Sequence, residues 1–292
     1  MSSWERLIRF EDQTGTEQFG EPIIRADEAS SLDELVAGGK LTAKCLIGSD
    51  IFALSASINV AKVKKILPLL SPSQVPLVKC VGLNYMKHIK EGGRKPPPYP
   101  SIFIKPSASV AAYNEDIPIP KLAQDDQLDY EGELAIFIGK TGKDIPKDQA
   151  LKHIAGFIVT NDVSARKWQR DPAYAGGVPQ WCFSKGFDKF APLGPMLVSP
   201  QVLGNAGNLQ LRTFVNGDLR QDTNTNDLLF NTEAIVSFVS QGTTLEAGTV
   251  IMTGTPAGVA MGMKEPLWLK DGDVVEVEIE GLGSVKNKMV FL

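Results

Sequence analysis

One stretch of sequence decides the fold, and it reads Asp129-Tyr130-Glu131-Gly132-Glu133-Leu134-Ala135-Ile136-Phe137-Ile138-Gly139. It predicts a β-strand, in which successive side chains point to opposite faces. One face then carries Leu134, Ile136 and Ile138, and the other carries Glu131, Glu133, Ala135 and Phe137. Two carboxylates therefore lie side by side at the start of a face that is otherwise apolar and buried.

A third carboxylate follows in a suggestive position. Residues 157–162 predict a second buried strand, which ends at Asp162. Residues 146–154, between the two strands, predict a helix, because Pro146 suits the first helical position. Strands that follow one another along the chain in this way are often neighbours in a sheet. The acids at the ends of the two strands are therefore expected to lie close together.

Glu131, Glu133 and Asp162 are expected to converge on one cation. Like charges on a buried face repel each other, and each stays ionised only if a positive charge lies between them. Mg²⁺ suits a site that has few carboxylates and is completed by waters and substrate oxygens. On spacing alone a second interpretation stays open, in which these acids lie at solvated strand ends and bind nothing.

The composition excludes several classes of protein. The net charge of the 292 residues is −4, and no long run of lysine or arginine occurs, which argues against nucleic acid or an anionic membrane as partner. Cys45, Cys80 and Cys182 form no Cys-x-x-Cys pair and fit a reduced compartment. His88 and His153 are the only histidines, so a zinc site of several His and Cys ligands is nearly excluded.

The chain divides into two predicted domains. Residues 1–70 predict a small N-terminal domain of strands, and Pro68, Pro72 and Pro76 mark a linker after it. Residues 77–292 predict an α+β domain that is mostly β, with a rolled or barrel-like sheet. No apolar run reaches membrane-spanning length, and neither a secretion signal nor a transit peptide is visible. The cytoplasm is therefore the expected location.

Four motifs along the chain resemble those of the fumarylacetoacetate hydrolase family. They are Val81-Gly82-Leu83-Asn84-Tyr85 ahead of His88, Asp129-Tyr130-Glu131-Gly132-Glu133-Leu134-Ala135, Thr160-Asn161-Asp162-Val163-Ser164-Ala165-Arg166, and Thr253-Gly254-Thr255-Pro256-Ala257-Gly258-Val259. The resemblance implies a β-roll catalytic domain after a small N-terminal β domain. It also implies a Mg²⁺ or Mn²⁺ ion at Glu131, Glu133 and Asp162. Members of the family act on 2-oxo and β-diketo acids by C–C hydrolysis, decarboxylation or keto–enol tautomerisation.

The resemblance assigns further roles. Arg166 and Gln169 match residues that contact substrate, and if residues 163–170 are helical they share one face with Asp162. Lys185 matches a lysine near the metal carboxylates and the oxyanion of the substrate, and a buried lysine needs such partners to stay charged. The alternatives are an arginine paired with a surface acid and an exposed lysine.

Three more candidates complete the expected site. Thr255 follows Gly254, which lets the backbone approach a ligand, so its hydroxyl and N–H are expected to reach a substrate carboxylate; the alternative is a plain turn. His88 and Glu91 share a face of one helical turn. Glu91 is then expected to accept a hydrogen bond from the imidazole, so that its other nitrogen acts as a base. In the family this pair lies on a lid, and the alternative is a solvent-facing pair.

Three functions compete. The first is Mg²⁺-dependent hydrolysis of a C–C bond in an acylpyruvate- or fumarylacetoacetate-like acid through a metal-stabilised enolate. The second is an oxaloacetate keto–enol tautomerase or decarboxylase with the same site, since residues 121–127 and 171–181 resemble insertions of that subgroup. The third is a catalytically silent protein that binds 2-oxo acids. The resemblance also implies a homodimer and leaves a mitochondrial location as an alternative.

Overall fold

The computed structural model of the protein describes residues 4–91, 93 and 95–292, with the backbone alone at Ala26, Ser30, Ser31 and Glu91. Strands take up 38% of the chain and helices 22%, so the predicted class, α+β and mostly β, is confirmed. The first strands are β1 (Arg6–Asp12), β2 (Glu17–Pro22), β3 (Thr42–Ile47), β4 (Ser55–Leu67), β5 (Val78–Gly82), β6 (Ser101–Lys105), β7 (Val110–Ala111), β8 (Ile117–Ile119), β9 (Leu128–Asp129), β10 (Gly132–Ile138) and β11 (Ile154–Asn161). The others are β12 (Ser164–Ala165), β13 (Ala191–Pro192), β14 (Met196–Val198), β15 (Gln210–Val215), β16 (Asp218–Asn224), β17 (Val250–Met252), β18 (Val274–Ile279) and β19 (Gly283–Phe291).

The helices are short. The α-helices are α1 (Leu32–Ala37), α2 (Met86–Glu91), α3 (Arg166–Arg170), α4 (Pro172–Ala175), α5 (Trp181–Lys185), α6 (Pro200–Leu203) and α7 (Thr232–Val239). The 3₁₀ helices are Ala26–Ser31, Pro72–Gln74, Ser107–Ser109, Lys121–Ala123, Lys147–His153, Thr225–Asp227 and Ala260–Gly262. No helix in the described part of the chain is long and apolar enough to cross a membrane.

A ten-stranded sheet runs through the molecule in the order β2-β3-β4-β1-β14-β11-β10-β17-β5-β6. Its first four strands come from residues 6–67, and β1 pairs antiparallel with β14, so that Arg6 lies opposite Val198. The N-terminal strands therefore continue the sheet of the rest of the chain through direct backbone hydrogen bonds.

The two faces of β10 pack as the alternation of its residues predicts. Leu134, Ile136 and Ile138 join one hydrophobic cluster, which includes residues of a second sheet, β16-β15-β18-β19-β8. Ala135 and Phe137 join another cluster on the opposite face. The large sheet is thus buried on both sides at β10. This double burial explains why every residue of β10 is buried.

Strand β11 is the neighbour of β10, as expected, and the pairing is antiparallel. Gly132 lies opposite Asn161, and Glu133 lies opposite Thr160. Since the start of one strand faces the end of the other, this register brings Glu131 and Asp162 to the same edge.

Two predicted helices need correction. The segment between the strands is the 3₁₀ helix Lys147–His153, in which the Gln149 N–H donates to the Pro146 carbonyl three residues before it. The helix expected over residues 163–170 begins only at Arg166. The two residues before it form β12 and pair with β9, and this pairing prevents helical hydrogen bonding.

Candidate active site

The three predicted carboxylates lie together at the edge shared by β10 and β11. One oxygen of each of Glu131, Glu133 and Asp162 lies within 4.8 Å of the others, and all three residues are buried. The strand ends are tied by the backbone, because the Asp162 N–H donates to the Glu131 carbonyl at 2.8 Å. The Asn161 side chain also accepts the Glu131 N–H at 2.9 Å. The convergence expected from the sequence is therefore present.

Lys185, at the end of α5, joins two of these carboxylates. Its Nζ lies 2.9 Å from Glu131 Oε2, 2.8 Å from Asp162 Oδ2 and 2.6 Å from Ser164 Oγ. Burial lowers the pKa of the ammonium, but the two carboxylates, Asp162 first, outweigh burial and raise the Lys185 pKa. The two carboxylates therefore favour the charged form of Lys185.

Arg166 starts α3 and is buried against the other side of Glu131. Its Nη2 lies 2.6 Å from Glu131 Oε1, and its Nε donates to Asp129 Oδ2 at 2.8 Å. Its Nη1 donates to Gln169 Oε1 at 3.0 Å. Burial raises the pKa of Glu131, but Lys185 and then Arg166 outweigh it, so that the pKa falls below its ordinary value. Arg166 thus fixes Glu131 and Gln169, and its guanidinium is already engaged by three side chains.

Lys105 is a site residue that the sequence analysis missed. It ends β6, is fully buried, and places its Nζ 2.5 Å from Asp162 Oδ1 and 2.5 Å from the Phe190 carbonyl. Lys185 meets the other oxygen of Asp162. The Asp162 carboxylate is therefore held between two ammonium groups, and its plane is set by both. In the sequence Lys105 follows three consecutive apolar residues, Ile102, Phe103 and Ile104, which predict a strand but do not indicate a buried lysine.

Glu133 differs from its neighbours because no lysine or arginine pairs with it anywhere in the described ranges. Its Oε2 accepts the Gly254 N–H at 2.7 Å. Burial, then repulsion by Asp162 and Glu131, raises the pKa of Glu133 well above its ordinary value. Ionised Glu133 therefore needs one more positive charge beside it, and a divalent cation among three carboxylates supplies it. The residues present fit such an ion.

Asp129 organises the layer below the site and was also missed. Besides Arg166, it accepts the N–H groups of Ala260 at 2.8 Å and Met261 at 3.1 Å. This contact ties the C-terminal motif to the strand that carries the acids. No signal in the sequence predicts this contact, since Ala260 and Met261 lie 131 and 132 positions after Asp129.

Thr255 lies in the C-terminal motif at the wall of the site. Its hydroxyl donates to the Gly132 carbonyl at 3.1 Å and accepts from Gln221 Nε2 at 2.9 Å. Gly254, just before it, has a φ of +103°, which favours glycine and lets its N–H meet Glu133. Direct contact between Thr255 and a substrate carboxylate stays a prediction.

A pocket of about 270 Å³ opens over Glu131, one of the three clustered carboxylates. Six predicted site residues line it: His88, Glu131, Arg166, Gln169, Lys185 and Thr255. The other lining residues were not predicted as site residues, and they are Val81, Gly82, Leu83, Phe103, Arg170, Trp181, Met261 and Gly262. The volume suits a small acid of a few carbons. His88 lies on α2 at the wall and is half-buried, whereas the Glu91 side chain lies outside the described residues, so the pairing of the two stays a prediction.

Comparison with known proteins places this site in a family. Residues 78–290 match the family described as Fumarylacetoacetate (FAA) hydrolase C-terminal. The chain belongs to the fumarylacetoacetate hydrolase family. The resemblance of the four motifs is thereby confirmed. Members of this family commonly bind a divalent metal, and the carboxylate cluster is a candidate site for one.

Relatives within the family carry two kinds of name. The chain is 41% identical over 249 residues to a protein of Xenopus laevis named oxaloacetate tautomerase fahd2, mitochondrial. These residues make up 85% of this chain and 74% of that protein. Among solved structures, the 2-hydroxyhepta-2,4-diene-1,7-dioate isomerase of Mycobacterium marinum is 32% identical, with a TM-score of 0.76 and 99% of each chain covered. The fumarylacetoacetate hydrolase of Exiguobacterium antarcticum is 35% identical, with a TM-score of 0.71, and the match covers 98% of this chain and 99% of that chain.

Proposed function

We propose that this member of the family is a divalent-metal-dependent oxaloacetate keto–enol tautomerase. The observation that carries the proposal is the buried trio Glu131, Glu133 and Asp162, in which Glu133 forms no ion pair with a lysine or arginine among the described residues. Glu131 of this trio forms the floor of a pocket of about 270 Å³, a volume that suits a four-carbon acid. The names of the relatives favour tautomerisation over the hydrolysis expected first from the sequence.

The metal in this proposal is Mg²⁺, with Mn²⁺ as the alternative, held by Glu131, Glu133 and Asp162. When bound, the ion polarises the ketone of a 2-oxo acid and favours its enolate. The Lys185 ammonium lies 2.8 to 2.9 Å from two of the carboxylates and stabilises negative charge that develops beside them. His88, at the pocket wall, takes the proton from the carbon next to the ketone when the enol forms, while the oxygen gains a proton from water; both transfers run backwards when the ketone forms. Arg166 keeps Glu131 in place.

The test is a panel of 2-oxo acids assayed with Mg²⁺. Loss of the ultraviolet absorption of the oxaloacetate enol measures tautomerisation, and analysis of the products detects cleavage or decarboxylation. We expect rapid interconversion of oxaloacetate tautomers without loss of a carbon. A chain that leaves the enol to decay at the spontaneous rate would refute the proposal.

Hydrolysis of a C–C bond is the second candidate. A family member named fumarylacetoacetate hydrolase is 35% identical to this chain and shares its fold over nearly the whole length. Both reactions begin with the same polarised ketone, and hydrolysis additionally needs a water that is activated at the pocket wall. The release of two acids from an acylpyruvate in the same panel would favour this candidate.

Replacement of His88 by Ala is expected to lower turnover by roughly a hundredfold or more, the scale of a lost general base. The affinity for Mg²⁺ should change little, because His88 is not one of the clustered carboxylates. Steady-state kinetics and a calorimetric metal titration measure the two quantities. His153→Ala is the control, since it removes the other histidine, whose Nδ1 lies 2.9 Å from the Lys140 carbonyl. Near wild-type turnover in His88→Ala would mean that the proton moves by another route.

The proposal includes a homodimer and a location. Strand β6 is the edge of the ten-stranded sheet and exposes Ile102 and Ile104, at 40% and 44%, which supports contact with a second copy. Light scattering at micromolar concentration tests the dimer, and a result that shows only a monomer would refute it.

Relatives with mitochondrial in their names support the mitochondrion as the alternative to the cytoplasm. No nucleic acid or membrane partner is proposed.

A further inference from the structure

Three lysine or arginine side chains line the pocket in the part of the chain that the structure describes: Arg166, Arg170 and Lys185. Two of them are buried and face the carboxylates at the floor, where each makes short ion pairs. Arg170 is different, since it is exposed and is not part of the acid cluster. It is the basic side chain of the pocket that solvent reaches.

Arg170 is placed above the floor by the geometry of α3. Arg166 and Arg170 are four residues apart in this helix, so they lie on one face, with Arg170 one turn, or ~6 Å, further along the axis. Since Arg166 contacts Glu131 at the floor, that face of the helix points into the pocket. The floor and the Arg170 position thus form two ends of one cavity.

A thioether steadies the guanidinium at this position. Arg170 Nη1 lies 3.5 Å from Met261 Sδ, and both residues line the pocket. The Met261 N–H is itself held by Asp129 Oδ2 at 3.1 Å, and Asp129 is also the partner of Arg166. The buried Asp129 carboxylate therefore holds Arg166 directly and holds Met261, the contact of Arg170, through its backbone. This arrangement gives Arg170 a defined location relative to the acids.

We propose that Arg170 determines specificity by binding the second carboxylate of a dicarboxylic 2-oxo acid. The inference rests on the proposed function, in which the 2-oxo end of the substrate lies at Glu131, Glu133 and Asp162. In a four-carbon diacid the second carboxylate lies roughly 4 Å from the first, across three carbon–carbon bonds. It then points away from the floor along α3, within reach of the flexible arginine side chain.

The other arginine of the pocket, Arg166, is buried and faces the acids at the floor. Its Nε, Nη1 and Nη2 contact Asp129, Gln169 and Glu131, respectively. A guanidinium also matches a carboxylate with two parallel N–H donors, which a lysine does not offer. The site therefore prefers the dianion of oxaloacetate to a monoanion of similar size, such as acetylpyruvate, which has a methyl ketone in place of the second carboxylate.

The test compares Arg170→Gln with wild type on oxaloacetate and acetylpyruvate, both with Mg²⁺. The variant should raise the KM for oxaloacetate roughly 10- to 100-fold, as expected for loss of a hydrogen bond to a charged group. The KM for acetylpyruvate should change less than about twofold, and Arg170→Lys should recover part of the loss. Lys167→Gln is the matched control, because it removes a positive charge from the same helix but Lys167 Nζ donates to the Asp125 carbonyl.

The outcomes separate the inference from the function on which it rests. Calorimetric titration with the same two anions measures affinity whether or not turnover occurs. If wild type binds oxaloacetate through Arg170 but does not interconvert its tautomers, the proposed function fails and the assignment of Arg170 stands. If Arg170→Gln weakens both anions equally, or neither, the assignment is overturned. A wild-type chain that binds neither anion overturns it as well.

Discussion

Replacement of Glu133 by Gln is expected to abolish Mg²⁺ binding and, with it, turnover. The amide keeps the shape of the side chain, and its oxygen still accepts the Gly254 N–H that Glu133 accepts at 2.7 Å. The variant loses the one carboxylate of the trio that forms no ion pair with a lysine or arginine of the described chain. The affinity for Mg²⁺ should fall by more than ~100-fold, since loss of an outer partner already costs 10- to 100-fold. Turnover should fall by roughly a thousandfold or more, because the metal supplies several kcal/mol of stabilisation.

The stability of the metal-free variant gives this prediction a second readout. Burial and repulsion disfavour the ionised form of Glu133, so the neutral amide of the variant should leave the metal-free protein at least as stable as wild type. Calorimetric titration measures the Mg²⁺ affinity, and urea unfolding measures the free energy of unfolding. Glu278→Gln is the control, since Glu278 is a half-buried glutamate on β18 whose pKa is raised by burial and by Glu276. Unchanged Mg²⁺ affinity in Glu133→Gln would show that the ion binds elsewhere.

Replacement of Lys105 by Met is expected to destabilise the protein by about 3–5 kcal/mol, the usual cost of breaking a buried ion pair from one side. The substitution leaves Asp162 Oδ1 and the Phe190 carbonyl without the ammonium that each contacts at 2.5 Å. Mg²⁺ affinity should also fall, roughly 10- to 100-fold, because Asp162 loses one of the two groups that fix its plane.

Urea unfolding and a calorimetric Mg²⁺ titration measure these two effects. Lys79→Met is the matched control on the neighbouring strand β5, where Lys79 Nζ donates to the Val239 carbonyl at 3.0 Å and contacts no carboxylate of the trio. The control should lose much less stability. If Lys105→Met unfolds at the same urea concentration as wild type and binds Mg²⁺ equally well, Lys105 does not position Asp162.

The sequence alone was sufficient for the strand that organises the fold. The alternation in residues 129–139 predicted both faces of β10, because a strand that is buried on two sides must present apolar side chains to each. It also predicted the meeting of Glu131, Glu133 and Asp162, since their positions follow from the pairing of two strands that are close along the chain. The four motifs were sufficient for the family.

The helices were less well predicted, because their limits depend on distant partners. A helix over residues 163–170 would have put Arg166 on one face with Asp162. The pairing of Ser164 and Ala165 in β12 with β9 rules out that longer helix. In the structure Arg166 contacts Asp129 and Glu131 instead, because α3 begins at Arg166 itself.

Only the tertiary structure decided which side chains of β6 face the site. Hydropathy favours burial of the face with Ile102 and Ile104 over the face with Lys105, yet these isoleucines are 40% and 44% exposed, whereas Phe103 is 6% exposed and Lys105 is fully buried. The reason is electrostatic. A lysine is buried when a carboxylate that lies far away in the sequence is already buried beside it, and here Asp162 is that carboxylate. An ion pair between Lys105 and Asp162, 57 positions apart, leaves no periodic signal in the sequence. The local sequence therefore determines that β6 is a strand, but the contact with Asp162 determines which of its faces is buried.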